Sequence, residues 1–238
     1  MLNVFSIFQA LSGEVGAVPQ GTPSVFVRLA GCTLSCKYCD AKDSQSSGNG
    51  IEMTARQIIR KIDEMGEFSH LVLTGGEPIF QWDFDEMGDL LDLAEKRKWR
   101  ITVETNGRQP LPIMWPRHVH YGITWVVDYK LPGSGMSSCM PQQIEHWSNW
   151  PTGSWIKMVC TDMDDFDHAI KTFDWMESFC RHLNFAIGAT RFDLLGDISQ
   201  KILDQNLSNI VVNCQIHKIL FPEGEKGDSL YANELTHV

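Results

Sequence analysis

The chain has no run of eighteen or more apolar residues, so no segment of it reads as a membrane-spanning helix. Positive charge is scarce: 20 Lys and Arg stand against 30 Asp and Glu, a formal net charge of −10. That excludes a broad electrostatic grip on nucleic acid, although not a local basic site. The opening residues Met1 to Phe8 lack the basic region and cleavage site of a signal peptide, and the expectation is a cytoplasmic protein. No internal repeat and no low-complexity tract is present. Cysteine is also too sparse and too unevenly placed for a disulfide framework. There are seven, an odd number, with three crowded together, which suits a reducing compartment. With 238 residues, 43% hydrophobic and 21% charged, the chain can bury a core as one domain over residues 1–238.

The three crowded cysteines carry the chemistry. Cys32, Cys36 and Cys39 lie in the run Gly-Cys-Thr-Leu-Ser-Cys-Lys-Tyr-Cys-Asp, spaced Cys-x-x-x-Cys-x-x-Cys. Three thiolates this close can hold three irons of a [4Fe–4S] cluster and leave the fourth iron open to a small molecule. Structural zinc wants four ligands, normally as two separated pairs, and no second pair follows. A Cys-x-x-Cys redox motif leaves the third thiol unexplained. Cys139, Cys160, Cys180 and Cys214 are scattered and read as small core residues.

Strands and helices alternate. Ser24 to Leu29 reads as a strand running into the cysteine loop, and the polar residues 40–53 as a loop. Thr54-Ala-Arg-Gln57 is a capping-box signature, after which Ile58, Ile59, Ile62 and Met65 supply a helical apolar face. His70 to Thr74 is a buried strand, followed by a helix from near Asp83. Strands are expected at Arg100 to Glu104, Ile123 to Asp128, Trp155 to Val159, Asn184 to Ile187 and Asn209 to Asn213, with a helix near Asp164 to Arg181. This alternation predicts an α/β fold, a mostly parallel sheet with right-handed crossovers forming an open, partial β/α barrel. Such a barrel carries its chemistry at the C-terminal ends of the strands. The cysteine loop, Thr74-Gly-Gly-Glu-Pro78, Glu104-Thr-Asn-Gly107 and Asp128-Tyr-Lys130 all fall there. Arg108 to Tyr121 and Pro132 to Ser154 read as irregular insertions rich in Pro, Trp, His and Ser.

With its Gly-Gly-Glu loop, the sequence resembles the radical S-adenosylmethionine (SAM) superfamily. Within it the chain is similar to the 7-carboxy-7-deazaguanine synthase family, through Ile7-Phe8, Gly13-Glu14, Phe26-Val-Arg-Leu29, Gly31-Cys32, Thr74 to Pro78, Glu104 to Gly107 and Gln215-Ile-His-Lys218. The resemblance implies a lyase of 7-deazapurine (queuosine-type) biosynthesis. It would convert 6-carboxy-5,6,7,8-tetrahydropterin to 7-carboxy-7-deazaguanine with loss of ammonia, using the cluster and catalytic SAM. It also suggests a homodimer and an electron donor such as flavodoxin.

By the same resemblance the cluster ligands are Cys32, Cys36 and Cys39. SAM contacts fall at Tyr38, Asp40, Gly75, Gly76, Glu77, Glu104, Asn106, Asp128, Tyr129 and Lys130. Substrate contacts fall at Ser12, Gly13, Glu14, Arg28, Thr74, Gln215 and His217. Arg28 suits a carboxylate clamp because a guanidinium binds carboxylate bidentately; the plainer alternative is a solvated strand-edge charge. For Glu14 the plainer reading is an exposed loop carboxylate, for Asn106-Gly107 a simple turn, and for His217 a structural histidine. Two positions depart from the family pattern. Ser12 stands where the family has Gln, and its hydroxyl is too short to reach as an amide would. Ala41 stands where the family has a Thr that helps bind Mg²⁺, and it has no side-chain oxygen, so Asp43 or Ser44 would have to compensate if the metal is bound at all. The rival readings are a glycyl-radical activase that consumes SAM, and a non-catalytic iron–sulfur or zinc interaction protein with a fourth ligand from Cys139 or Cys160.

Overall fold

The computed structural model describes residues 1–112 and 122–220. Among them, nine strands form one sheet: β1 (Leu2–Leu11), β2 (Pro23–Leu29), β3 (Ile51–Met53), β4 (His70–Gly75), β5 (Arg100–Thr105), β6 (Ile123–Tyr129), β7 (Trp155–Cys160), β8 (Asn184–Ala189) and β9 (Ile210–Val212). Six helices accompany them: α1 (Ala55–Met65), α2 (Asp85–Lys96), α3 (Ile144–Ser148), α4 (Met163–Glu177), α5 (Phe192–Asp204) and α6 (Ile216–Leu220). The spatial order is β3-β1-β2-β4-β5-β6-β7-β8-β9. From β2 through β9 every neighbouring pair is parallel, while β1 is antiparallel to both β2 and β3. The sheet does not close, since β3 and β9 are its two edges. This is the open, partial barrel expected from the strand–helix alternation.

Because each parallel strand lies beside the one before it, successive crossovers of one hand stack their helices on a single face. The burial pattern shows which face. Val25, Val27, Leu29, Leu71, Leu73, Ile101, Val103, Trp125, Val127, Ile156 and Met158 join the apolar residues of α1, α2, α4 and α5 in one core. The alternate residues Phe26, Arg28, Thr74, Thr102, Glu104, Asp128 and Lys157 point the other way, into a cavity. A period of two thus gives the protein an oily outside wall and a polar inside.

Helix starts follow local chemistry. Thr54 caps α1, accepting from the Gln57 N–H, while Gln57 reaches back to the Thr54 N–H, as the capping box predicts. Glu86 of α2 takes the Ala55 N–H at 2.8 Å and so ties the first two helices together. Asp162 caps α4.

Several elements differ from the sequence reading. β1 carries a register shift between Val4 and Ser6. The shift moves the core-facing set from Leu2 and Val4 to Ile7, which breaks the alternation that would announce a strand. Residues 40–53 contain two short 3-10 turns and β3 instead of plain loop. The second stretch read as irregular contains α3, and its Trp147 and Trp150 are fully buried, with Trp150 edge-on to Trp125 at 5.3 Å. Of the first, residues 113–121 lie outside the described residues. Cys160 and Cys180 are buried as expected, whereas Cys139 and Cys214 are only partly so.

Candidate active site

At the C-terminal ends of the strands is a cavity of about 790 Å³ lined by residues from the loops after β1, β2, β4, β5 and β6, from β7, and from the chain's last described segment. Cys32, Cys36 and Cys39 all line it. Their loop leaves β2 at Gly31, whose φ of +97° favours glycine. It is pinned on several sides. Gly31 N–H and Cys32 N–H donate to the carbonyls of Ser44 and Gln45 at 2.8 and 3.0 Å. Arg108 Nη1 donates to the Thr33 carbonyl at 3.0 Å, and Lys37 N–H to the Ser134 carbonyl at 3.0 Å. The Leu34 N–H lies 3.5 Å and Asn106 Nδ2 3.7 Å from Cys32 Sγ. Burial pushes the Cys32 thiol up, and these donors pull it back. Burial likewise raises Cys36, against the pull of Lys130. Thiols that are costly to ionise alone, one furnished with N–H donors and one facing an ammonium, suit a bound cation that replaces the proton.

The glycine loop packs directly on the base of the cysteine loop. Gly75 has φ +116°, and a Cβ there would lie 2.3 Å from the Leu29 nitrogen. A Cβ on Gly76 would lie 2.0 Å from the Gly31 carbonyl oxygen. Any larger residue separates the two loops. Glu77 does not reach the cavity. It is fully buried and accepts hydrogen bonds from the Ile79 N–H at 2.9 Å, the Thr105 hydroxyl at 2.7 Å and the Asn106 N–H at 2.7 Å. Its carboxyl is pushed up by burial, which those three bonds oppose. The side chain thus joins the loop after β4 to the loop after β5 and fixes Asn106.

Across the inner face runs a row of charges. Thr74 donates to Glu104 at 2.7 Å. Burial lifts the Glu104 carboxyl to about 7; Glu14 and Asp128 add to the rise, while Lys157 and the Thr74 bond oppose it. Asp128 accepts from Lys130 at 2.6 Å on one oxygen and pairs with Lys157 at 3.2 Å on the other. Burial works against ionised Asp128, but the two ammonium groups outweigh it and hold its carboxyl below the usual range. Lys157 also pairs with Glu14, whose other oxygen accepts from Gln215. Arg28 is half-buried over the Phe8 ring at 5.0 Å, and Phe8 stacks on Phe26. It faces the cavity, not a solvated edge.

The structure brings Ser12, Gly13, Glu14, Arg28, Tyr38, Asp40, Thr74, Gly75, Gly76, Glu104, Asn106, Asp128, Lys130 and Gln215 to the same cavity as the cysteines. Two expected contacts are not brought there. Glu77 is turned into the protein as described, and Tyr129 packs against Trp147 at 5.2 Å on the helix side of β6. The side chain of His217 lies outside the described residues. Sequence reasoning missed Lys157, which belongs to no motif; its signal was a lone lysine inside the buried strand Trp-Ile-Lys-Met-Val-Cys.

A sequence profile of the Radical SAM superfamily matches residues 27–127. A 7-carboxy-7-deazaguanine synthase of Clostridium acetobutylicum is 30% identical over 229 residues, 94% of this chain and 98% of that protein. That of Pyrobaculum aerophilum is 32% identical over 166 residues, 70% of each chain. That of Koribacter versatilis is 26% identical over 239 residues, 95% of this chain and all of its own (100%). The chain belongs to the 7-carboxy-7-deazaguanine synthase family.

Membership in this radical SAM family implies a [4Fe–4S] cluster and SAM. The donor set fits: three cysteine thiols, Cys32 among them with two N–H donors, face one cavity beside a glycine loop too tight for side chains. Cys139 and Cys160 do not line that cavity, so neither supplies a fourth ligand there. Magnesium fits poorly in this member of the 7-carboxy-7-deazaguanine synthase family. The Ala41 carbonyl already accepts both the N–H and the hydroxyl of buried Ser44, at 3.1 and 2.8 Å. Asp43 is exposed and does not line the cavity, and Asp40 faces the Lys218 ammonium at 3.7 Å. Neither Asp43 nor Ser44 rebuilds the missing ligand.

Proposed function

We propose that this chain converts 6-carboxy-5,6,7,8-tetrahydropterin to 7-carboxy-7-deazaguanine with release of ammonia. The observation that carries this reading is the shared cavity: a cationic Arg28, the Glu14 carboxylate and three cysteine thiols open onto one space. When bound, the cluster and SAM supply the one-electron chemistry that removes a hydrogen atom from carbon. The chain's own residues bind, orient and shield. Arg28 holds the substrate carboxylate. Glu14, fixed by Lys157 and Gln215, accepts from the amino-pyrimidinone edge, next to Ser12 and Gly13. Thr74, hydrogen-bonded to Glu104, lies between the substrate and the SAM side. Gly75 and Gly76 offer backbone to the methionine end of SAM. Tyr38 and Asp40 flank its nucleoside, and Asn106, Asp128 and Lys130 hold its polar groups. Among the cavity's own lining, Leu11, Phe26, Leu34, Val72 and Phe192 help to exclude water from the reacting centre.

In this reading the chain works as a single domain with two irregular insertions, as a cytoplasmic homodimer reduced by a donor such as flavodoxin. The test is anaerobic reconstitution followed by turnover on the carboxytetrahydropterin, with product and SAM assayed together. More than one product per SAM is expected. Stoichiometric loss of SAM, as a glycyl-radical activase would show, or no product at all, overturns the proposal.

A further inference from the structure

Lys157 is the least expected group in the cavity. A lysine in the middle of a parallel sheet gives up most of its hydration, and only well-placed carboxylates offset that cost. Its side chain is 8% exposed. On one side its strand neighbour is Ala186, which offers no polar atom, and on the other it is Asp128. The ammonium therefore leans toward β6 and the loop after β1, where it pairs with Asp128 at 3.2 Å and with Glu14. These two carboxylates have different neighbours. Asp128 is also held by Lys130, two residues on, beside the cysteine loop; Glu14 is also held by Gln215 at the far end of the sheet. Lys157 is thus where two halves of the cavity share one charge.

We propose that Lys157 is a positioning residue that couples the two ligand sites, so that occupancy on the Asp128 side fixes Glu14 on the pterin side, and the reverse. The proposal rests on the assignment of SAM and pterin given above. An ammonium shared by two carboxylates is drawn toward one when the other moves. A ligand that holds Asp128 in place leaves Lys157, and hence Glu14, with one arrangement. By linkage, whatever the first ligand contributes to the second's affinity, the second returns.

The test is anaerobic calorimetry on the cluster-loaded protein, titrating SAM and the carboxytetrahydropterin each alone and each with the other saturating. In the native chain each ligand is expected to tighten the other. In Lys157→Met both dissociation constants rise by roughly tenfold or more, as for loss of a charge-assisted bond, and the mutual tightening falls toward unity. Lys157→Arg, which keeps the charge and can span both carboxylates, restores most of the tightening. Two further variants serve if Lys157→Met does not fold. Asp128→Asn should weaken the pterin measured without SAM, and Glu14→Gln should weaken SAM measured without pterin. Cross-effects of that kind need a bridge, whereas simple packing roles predict effects on the adjacent ligand alone. Retention of coupling in Lys157→Met, equal damage by Met and Arg, or absence of both cross-effects overturns the proposal. If the native chain binds SAM and no pterin, the functional assignment fails, and the effect of Glu14→Gln on SAM still decides the role of Lys157.

Discussion

Replacing Glu77 with Gln separates two roles for the acid of the Gly-Gly-Glu loop, a ligand contact and an internal tie. In the structure Oε1 accepts from the Ile79 N–H and the Thr105 hydroxyl, and Oε2 accepts from the Asn106 N–H at 2.7 Å. Gln can keep the first two bonds. Its amide NH₂ then faces the Asn106 N–H, two donors in a site with no exposure to water. The lost bond and the orphaned buried N–H together cost about 3 kcal/mol. For a chain of this length each kcal/mol lowers the melting temperature by roughly 2–4 °C, so a fall of roughly 6–12 °C is expected. Thermal unfolding of the metal-free protein, followed by circular dichroism, measures it without any ligand present. An unchanged melting temperature together with a large loss of SAM affinity in the cluster-loaded protein would refute the reasoning, because a ligand contact contributes nothing to the empty protein.

Arg28→Ala should leave the cluster absorbance intact and weaken pterin binding by roughly 10- to 100-fold, the range for a lost charge-assisted pair; loss of the cluster instead would make Arg28 structural. Glu104 gives a pH signature. Its carboxyl rises from an ordinary 4.5 to about 7 on folding, so its contribution to stability is complete below about pH 4.5 and disappears as pH climbs through about 7. The melting temperature of the native chain minus that of Glu104→Gln should therefore fall between pH 5 and 8, and a flat difference contradicts the burial argument. Magnesium should be dispensable: adding it or chelating it during turnover is expected to leave the rate unchanged, and strong stimulation would show that other groups rebuild the site around Ala41.

Much of the inner wall was legible because a period of two sorts side chains by face. Val25, Val27 and Leu29 announce a strand, and that alone sends Phe26 and Arg28 to the opposite side. The start of α1 was written in Thr54 and Gln57. What was not legible has physical reasons. The bulge in β1 hides a ten-residue strand, and β3 is too short, at three residues, to show any period. Glu77 and Tyr129 belong to motifs that do reach the cavity, yet a motif fixes where the backbone goes, not which way each side chain turns. Lys157 stood alone in an apolar strand, and its partners Glu14 and Asp128 lie 143 and 29 residues away in sequence, so no local spacing could reveal it.

The sheet stays open between its edges, but the chain laces the gap with polar bonds. Val15 N–H donates to Asn213 Oδ1, Ile216 N–H to the Gly13 carbonyl, and Gln20 to the Cys214 carbonyl. The partners of Val15 and Gln20 are 198 and 194 residues further along the chain. During synthesis, strands β2 to β8 can pair one after another as they emerge, each with a neighbour already made. The loop that carries Ser12, Gly13 and Glu14 is held early at Ser12 by Thr22 and later at Glu14 by Lys157, but its bonds to Asn213, Gln215 and Ile216 form only after β9 has emerged. A ribosome-bound or truncated chain would therefore own a nearly finished sheet and no finished substrate site. The reactive pocket gains its last wall only when the segment after β9 folds back onto the segment after β1.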